Sequence, residues 1–350
     1  MGSIYNLFFA LTVIYVQTNN LITFFVVYEL FLLPSAALIV IFSPGKRSLE
    51  TFKSFLVWTQ TGSVMVFVGI WYLVSSEGIH VFTDLNIGTV RVPFKIQALI
   101  LFGFLIKIPS FPFYFWLLKT HVESITSFSI FLSGFLVKIA VFGLFRFYPI
   151  FSYSTKCIAI CLLLSGGMAA SAAFFRQADY KRLVAYSTVQ EMAQIASLIF
   201  LVGPTNGALI GQFIVVHSLL SATFFFLSDI FYKLYGSRCV FSLNNLLLVS
   251  PKLSVLLVTA VLLFKGLPFT TKNQIEFGLL DLFLGVNSSL LGLWLLAIIF
   301  IGNIGITYIN FKLMAFGSES DTSQGEPTYF EGLYISFIIV LLATVLHIVN

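Results

Sequence analysis

Charged residues are scarce in this sequence. Only 9% of its 350 residues are Asp, Glu, Lys or Arg, whereas 59% are apolar and the mean hydropathy is +1.00. Because soluble domains carry about 25% charged residues, this composition excludes an ordinary soluble domain. Apolar runs of roughly 20 residues recur along the chain, which is typical of membrane-spanning helices. The small net charge of +5 lies mostly in loops and indicates membrane orientation, not nucleic-acid binding.

Cysteine is also scarce, with three residues in the whole chain. Neither a disulfide framework nor a metal site is predicted from so few ligands. A nucleotide-binding glycine loop, an iron–sulfur cysteine cluster and a haem motif are likewise missing from the sequence, so we expect no redox centre on this chain. The N-terminus lacks a basic region and a small-residue cleavage motif, and is therefore not expected to be a cleavable signal.

The apolar runs predict an all-α polytopic membrane protein with about eleven transmembrane helices. Basic loops at 44–53, 176–182 and 233–238 follow the second, sixth and eighth predicted helices, so they lie on one side of the membrane. By the positive-inside rule, that side is the cytoplasm or its organellar equivalent. The predicted helices lie at about 4–17, 20–43, 52–75, 96–117, 125–148, 156–176, 182–202, 208–234, 252–286, 290–312 and 330–348.

Two sets of five predicted helices have a similar plan. The first set occupies residues 1–148 and the second 149–315, and a polar link with a C-terminal helix follows at 316–350. In each set proline interrupts the fourth helix and a lysine precedes the break, at 107–109 and at 265–268. Because five is odd, the second set starts on the opposite side of the membrane. We therefore predict two inverted repeats, in which the paired interrupted helices mark a transport path.

Two lysines lie deep within apolar segments of the first predicted repeat. Lys107 precedes the helix break and Lys138 lies near the middle of the next helix. A lysine in hydrocarbon costs about 2.5–3.5 kcal/mol, so two of them predict an internal polar path. Glu29 is expected to pair with Lys107, since burial favours a neutral lysine and a carboxylate a charged one. The alternatives are a Glu29 near the interface or neutralised by burial, and a Lys138 that snorkels to the membrane surface.

Titratable residues also occur in the second predicted repeat. His217 fits either a hydrogen-bonded core histidine or a proton relay, because imidazole titrates near neutral pH. Glu276 follows the second helix break, and Lys272 lies one turn earlier, where it is placed to pair with Glu276. Glu191 either faces the same interior or lies close to a loop. Lys265 fits either a place in the internal polar path or a position at the membrane interface.

Together these residues predict a lateral path for protons through both repeats. Lysines and carboxylates alternate along it, and its five main residues each lie on a different helix. We call this set the predicted proton path; it comprises Glu29, Lys107, Lys138, His217 and Glu276, with Glu191, Lys265 and Lys272 as weaker candidates.

Specific motifs in this sequence resemble a known family. A Lys-Ile-Pro sequence at 107–109 is followed by Trp-Leu-Leu-Lys-Thr-His-Val-Glu at 116–123, and the Lys138 helix ends in Gly-Leu-Phe-Arg. Further on, Asp-Tyr-Lys-Arg-Leu-Val-Ala-Tyr-Ser occupies 179–187. From about residue 20 to 310 the chain resembles the antiporter-like chain 4 family of NADH–ubiquinone oxidoreductase (respiratory complex I), of the mitochondrially encoded type. The His-Val-Glu triplet favours chain 4 over its paralogues, chains 2 and 5.

The sequence departs from the family pattern at several positions. Leu118 replaces the proline of the family's Trp-Leu-Pro, and Glu191 stands where a histidine is usual. We therefore predict that the polar path is rewired around Glu191. The family usually has three more helices at the N-terminus. These helices are expected either to be lost or to be supplied by a separate polypeptide.

The resemblance implies a proton-translocating membrane-arm subunit in the mitochondrial inner membrane. Glu29 and Lys107 would be the coupling pair, Lys138 the central relay, and Glu276 the residue facing the exit or a neighbouring subunit. No cofactor is expected on this chain, since NADH, FMN, the iron–sulfur clusters and ubiquinone would bind other subunits of the enzyme. The expected partners are other membrane-arm subunits, including chains 2 and 5, and membrane lipids, but no nucleic acid.

Two other functions stay open from the sequence. A subunit of a related sodium/proton antiporter would transport ions without NADH, and the chain-4 motifs argue against it. A structural subunit with a degenerate channel would affect assembly but not pumping, and the intact set of buried charges argues against it.

Overall fold

The computed structural model describes residues 2–42, 48–85, 92–240, 246–266, 270, 272–278, 297–299, 301–305 and 308. Within these ranges the chain is almost entirely helical, which confirms the predicted all-α class. The predicted helix at 330–348 and the polar link before it lie outside the described residues. The helices are α1 (Gly2–Gln17), α2 (Leu21–Leu30), α3 (Leu32–Phe42), α4 (Ser48–Ser76), α5 (Phe82–Leu85), α6 (Phe94–Lys107), α7 (Phe115–Glu123), α8 (Thr126–Phe131), α9 (Val137–Arg146), α10 (Tyr153–Ala173), α11 (Tyr180–Val202), α12 (Gly207–Tyr235), α13 (Leu246–Val249) and α14 (Pro251–Phe264).

Membrane-length helices confirm the polytopic class. Within the described ranges, five helices are long and apolar enough to cross a membrane: Leu21–Phe42, Leu49–Ser76, Thr126–Arg146, Tyr153–Arg176 and Gly207–Tyr235. Helices α1 and α14 are apolar but shorter. Helix α11 is less apolar because buried polar residues, including Gln190, Glu191 and Gln194, interrupt its sequence.

Capping residues explain where several helices begin and end. Asn20 starts α2, since its Oδ1 accepts hydrogen bonds from the backbone N–H groups of Ile22 and Thr23 at 2.9 and 3.1 Å. Asp179 starts α11 in the same way, accepting from the N–H groups of the first turn. Gly236 ends α12 with a φ of 65°, a conformation that glycine adopts without strain.

The chain divides into two compact units. The first comprises Met1–Gly166 and Met192–Thr205, and the second comprises Gly167–Glu191 and Asn206–Asn350. The division falls within α10 and within α11, so each of these helices is shared between the two units. The predicted repeats at 1–148 and 149–315 follow a different division, and their inverted relation stays a prediction.

The first helix break is organised by backbone and side-chain hydrogen bonds. Helix α6 ends at Lys107, and Ile108 is extended because proline follows it. The Nε1 of Trp116 donates to the Ile106 carbonyl at 2.8 Å, and the Oγ of Ser110 donates to the Leu105 carbonyl at 2.9 Å. These bonds satisfy carbonyls that the interrupted helix leaves unpaired, as a buried break requires.

The helix after this break is longer than predicted. Residues 119–123 were expected in a loop after a helix ending at about 117, but α7 continues to Glu123. The break ends at Tyr114, where α7 starts. The turn that follows α7 is therefore at Ser124, which has an extended backbone.

The second predicted break is confirmed on both of its sides. Helix α14 ends at Phe264, Gly266 has a φ of 70°, and a helix resumes at 272–278. The proline of this break, Pro268, lies outside the described residues.

Helices α4 and α6 pack through glycines that allow close backbone approach. A Cβ added to Gly103 would lie 2.6 Å from the carbonyl oxygen of Gly62, and one added to Gly62 would lie 2.7 Å from the carbonyl oxygen of Gly103. No real Cβ tolerates such distances to backbone. Small residues at facing positions are a common device for bringing membrane helices together, and here they set the position of α6, which carries Lys107.

Replacing Gly103 with alanine is therefore expected to destabilise the first unit. The methyl group would force α4 and α6 apart, at a cost of about 1–3 kcal/mol. Thermal unfolding of the detergent-solubilised protein measures the effect. The matched control is Gly211→Ala in α12, since no described residue lies within 4 Å of a Cβ at Gly211. Equal melting temperatures for the two variants would contradict this account of the packing.

Candidate functional site

The first buried lysine, Lys107, is held by an aromatic ring. It is the last residue of α6, and only 8% of its surface is exposed. Its Nζ lies 3.6 Å from the centroid of the Tyr28 ring, which is fully buried. A cation–π contact of this kind contributes about 2 kcal/mol or more when it is desolvated. The ring stabilises the ammonium without binding it as tightly as a direct carboxylate would.

Glu29 and Lys107 form no direct ion pair, although the two charges interact over a longer distance, and their role as a pair stays a prediction. Both residues belong to the described part of the chain, and no N–O distance of 4.0 Å or less joins them. The Oε2 of Glu29 instead accepts a hydrogen bond from Gln60 Nε2 at 3.1 Å. Successive side chains on a helix point about 100° apart. The face of α2 that brings Tyr28 to Lys107 therefore turns Glu29 towards α4.

A small cavity lies beside Lys107 in the first unit. Its volume of about 10 Å³ has room for roughly one water molecule. The hydroxyl of Ser35 donates to the Phe31 carbonyl at 2.6 Å and that of Thr59 to the Phe55 carbonyl at 2.7 Å, which leaves both hydroxyl oxygens as acceptors. The cavity thus combines one cationic donor with two acceptors. Its lining consists of Phe31, Leu32, Ser35, Phe55, Thr59, Lys107, Trp116, Leu132, Leu136 and Val137.

The second buried lysine, Lys138, follows an irregular helical turn. Residues Leu132–Leu136 form a π-helix, and α9 continues from Val137. The Nζ of Lys138 donates a hydrogen bond to the Ser133 carbonyl within that turn. Because only 7% of Lys138 is exposed, its side chain stays inside the unit instead of snorkelling outwards. Single π-turns of this kind frequently mark functional positions in helices.

In the second unit, Glu191 is the centre of a cluster of titratable side chains. Only 1% of its surface is exposed. The Nζ of Lys272 forms an ion pair and hydrogen bond with Glu191 Oε1, and His217 Nε2 lies 3.8 Å from Glu191 Oε2. Glu191 was a weaker candidate in the sequence, with a loop position as the alternative. Its burial and its two partners place it inside the unit.

Lys272 also approaches a second carboxylate and a ring. Its Nζ lies 3.9 Å from Glu276 Oε1, one helical turn away, and 3.7 Å from the centroid of the Phe264 ring. The expected contact with Glu276 is therefore present, but the pair with Glu191 is closer. We call the four residues His217, Glu191, Lys272 and Glu276 the buried charge cluster.

The remaining sequence candidate, Lys265, is not part of this cluster. It lies half-buried at the C-terminal end of α14. Across the described ranges, no carboxylate oxygen comes within 4.0 Å of its ammonium group. Its role at the second helix break stays a prediction.

Two partners were missed by the sequence analysis, Tyr28 and Gln60. The sequence offers a clue to each of them: Gln60 is an amide inside an otherwise apolar helix, and Tyr28 directly precedes Glu29. No pattern in the sequence specifies that the tyrosine, and not the glutamate, faces Lys107.

In the part of the chain that the structure describes, no group of three or more His, Cys, Asp or Glu side chains is placed to hold a metal ion.

Breaking the Glu191–Lys272 pair is expected to destabilise the protein strongly. Glu191→Gln or Lys272→Met leaves one charge without its main partner, at a cost of about 3–5 kcal/mol. The double variant should lose clearly less than the sum of the two, by about 0.5–3 kcal/mol. Chemical or thermal unfolding of the purified protein measures this coupling.

The matched control is a pair on the surface of α12. Lys233 Nζ lies 3.2 Å from Asp229 Oδ2, with 58% and 31% of the two side chains exposed. The same double-variant cycle there should give only about 0.3–0.5 kcal/mol. A buried pair that couples no more strongly than this surface pair would show that the cluster is not held as described.

Comparisons with known proteins agree with this architecture. The family described as NADH:quinone oxidoreductase/Mrp antiporter, TM, matches residues 18–316. The chain is 33% identical over 305 residues to NADH-ubiquinone oxidoreductase chain 4 of Paramecium tetraurelia, covering 86% of this chain and 64% of that protein. It is 28% identical over 347 residues to NADH-quinone oxidoreductase subunit M of Rickettsia bellii, covering 94% and 67%. The chain thus spans less than two thirds of the Paramecium relative.

Solved structures share the fold. A chain of respiratory complex I from Thermus thermophilus matches with a TM-score of 0.80 at 21% identity, covering 93% of this chain and 70% of that one. A chain of the Mrp complex from Dietzia sp. matches with a TM-score of 0.80 at 18% identity, covering 88% and 60%. With a family match across most of its length and a chain-4 relative at 33% identity, this chain belongs to the NADH:quinone oxidoreductase/Mrp antiporter transmembrane family.

Proposed function

We propose that this chain translocates protons as a membrane-arm subunit of a respiratory NADH:ubiquinone oxidoreductase. The observation that carries the proposal is the buried charge cluster, in which four titratable side chains lie in one chain of contacts inside an apolar protein. Ionisable groups within membrane segments are costly, and they are usually kept for ion or proton movement. The similarity to chain 4 of the Paramecium tetraurelia enzyme and to subunit M of the Rickettsia bellii enzyme supports the identity of the enzyme.

Each unit contributes groups that can carry a proton. In the first unit, the ammonium of Lys107 contacts the Tyr28 ring and that of Lys138 donates to the Ser133 carbonyl, and neither of these two groups is a base. A lysine in such a place can exchange its proton with a neighbouring water or base, and the cavity beside Lys107 has room for one water. In the second unit, Glu191 and His217 are a base and an acid–base group in contact.

The setting of this activity is also part of the proposal. The chain would lie in the mitochondrial inner membrane, beside other antiporter-like subunits such as chains 2 and 5, and in contact with membrane lipids. NADH oxidation, FMN, the iron–sulfur clusters and ubiquinone would belong to other subunits, which supply the energy. A separate polypeptide that supplies three further helices stays a prediction.

A sodium/proton antiporter subunit is the second candidate. The observation that favours it is the shared fold with a chain of the Mrp complex. That function predicts ion transport in proteoliposomes without NADH, whereas the proposed function predicts proton movement only when NADH is oxidised.

Replacing Lys107 with methionine is the test of the proposed function. Methionine keeps the apolar packing but removes the proton-carrying group, which should slow the step that uses Lys107 by about 10²-fold or more. NADH-driven proton uptake in membrane vesicles should then fall to a small fraction of the wild-type value. The matched control is Lys119→Met, since the Lys119 side chain is 40% exposed and its Nζ lies 3.7 Å from the exposed Glu50. Normal proton uptake per NADH in Lys107→Met would contradict the proposal.

A further inference from the structure

The amide of Gln60 is the present partner of the Glu29 carboxylate. Its Nε2 donates to Glu29 Oε2 at 3.1 Å, and both side chains are half-buried. Because a carboxylate only accepts hydrogen bonds, the NH₂ group of the amide has to face it. A hydrogen bond with one charged partner is also stronger than a bond between two neutral groups. Gln60 therefore holds the Glu29 carboxylate at α4.

Lys107 is an alternative partner for the same carboxylate. Tyr28 directly precedes Glu29 in α2, and the centroid of its ring lies 3.6 Å from Lys107 Nζ. In the described part of the chain no direct ion pair joins Glu29 and Lys107, but their charges interact. A glutamate side chain has several rotatable bonds. Rotation of the Glu29 side chain can therefore bring its carboxylate closer to the ammonium.

Helix α4 lies beside both charges. Thr59 lines the cavity that Lys107 also lines, and the next residue, Gln60, carries the amide that bonds Glu29. The backbones of α4 and α6 approach closely at Gly62 and Gly103, which fixes the two helices against each other. The amide thus has a set position relative to Lys107.

The ring that Lys107 contacts is also held in place. Tyr28 is fully buried, and its ring packs against the rings of Phe24 and Tyr15, with centroids 6.3 Å away, and of Phe104, at 5.8 Å. The ammonium therefore has a fixed aromatic face as its partner. Such a face attracts a cation but does not neutralise its charge as a carboxylate in contact would.

Glu29 thus has two competing partners, the amide and the ammonium. A direct ion pair gains attraction, but it takes both charges further from water, so these two effects oppose each other. One hydrogen bond is sufficient to decide between arrangements that are so balanced. The choice affects proton transfer, because a carboxylate in contact favours the charged form of a lysine, and a lysine that carries protons has to lose that charge.

We propose that Gln60 is a positioning residue, whose amide holds the Glu29 carboxylate away from Lys107 and leaves the ammonium on the Tyr28 ring. Without this amide, Glu29 turns to Lys107 and the two form a direct ion pair. The effect on translocation rests on the proposed function, since a lysine held in an ion pair releases its proton more slowly. The position of Glu29 does not depend on pumping.

Thermal unfolding of the detergent-solubilised chain tests the position of Glu29 through its coupling to Lys107. In the wild-type background, the losses of melting temperature in Glu29→Gln and Lys107→Met should nearly add, because the two side chains are not in contact. In the Gln60→Met background, the variant with both changes should lose about 2 °C less than the sum of the two losses, since either change alone then breaks the new ion pair.

Gln97→Met is the matched control. Gln97 is a buried glutamine of α6 whose amide makes three hydrogen bonds to residues other than Glu29. Its replacement should lower the melting temperature but leave the losses at Glu29 and Lys107 nearly additive. Gln60→Asn, whose amide is one methylene shorter, should show the same coupling as Gln60→Met, and it decides the question if Gln60→Met does not fold.

Proton uptake by the assembled complex tests what the position of Glu29 does. NADH-driven proton uptake in membrane vesicles should fall several-fold in Gln60→Met. In the Glu29→Gln background the same change should cause no further loss, because no carboxylate is left to turn. An equal loss in both backgrounds would show that Gln60 acts only on packing, and would overturn its positioning role.

Two thermal results would also overturn the proposal. One is a pair of losses at Glu29 and Lys107 that remain additive in Gln60→Met and in Gln60→Asn. The other is a coupling that rises equally in Gln97→Met. Failure of the proposed function is a separate result, since normal proton uptake in Lys107→Met would contradict proton transfer by Lys107 and leave the thermal coupling unchanged.

Discussion

The cost of removing a charge from water is the constraint on which this structure depends. In the hydrocarbon of a membrane, every charged side chain must find its partner within the protein. The chain meets this requirement in three ways: Lys107 contacts a ring, Lys138 contacts a backbone carbonyl, and Lys272 contacts a carboxylate. These partners differ in strength and in whether they can accept a proton. The choice of partner therefore determines what each lysine can do.

Irregular backbone accompanies the buried lysines. Lys107 ends the helix at the first break, Lys138 follows a π-helical turn, and Lys272 begins the helix after the second break. An interrupted helix exposes carbonyl groups that an unbroken helix would use internally. Such groups need donors. At the π-helical turn the donor is the ammonium of Lys138, which bonds the Ser133 carbonyl, whereas at the first break the donors are Trp116 and Ser110.

Much of the fold could be predicted from composition and periodicity. Long apolar runs specify helices because a membrane leaves the backbone no other way to satisfy its hydrogen bonds over a single segment. The proline breaks could also be predicted, because proline lacks the N–H group that an unbroken helix needs. The extra length of α7 was missed because the end of the first break depends on tertiary hydrogen bonds, such as that of Trp116 to the Ile106 carbonyl.

The candidate site was predicted less completely. The sequence shows which helix carries each charge, but the contacts depend on how each helix is rotated about its axis. A rotation of one residue decides whether Tyr28 or Glu29 meets Lys107, and no local pattern encodes it. Glu191 and Lys272 are 81 residues apart, so their pairing follows from helix packing and not from spacing. The departure at Glu191 was nevertheless a useful signal, because a carboxylate in that place needs a cation nearby.

The most direct test of the central claim is to find the chain in its native membrane. Detergent-solubilised membranes are separated on a native gel, the band with NADH dehydrogenase activity is cut out, and its proteins are identified by mass spectrometry. The account predicts that peptides of this chain occur in that band together with other antiporter-like membrane subunits. If the chain migrates instead in a small oligomer without NADH dehydrogenase activity, it is not a subunit of that enzyme.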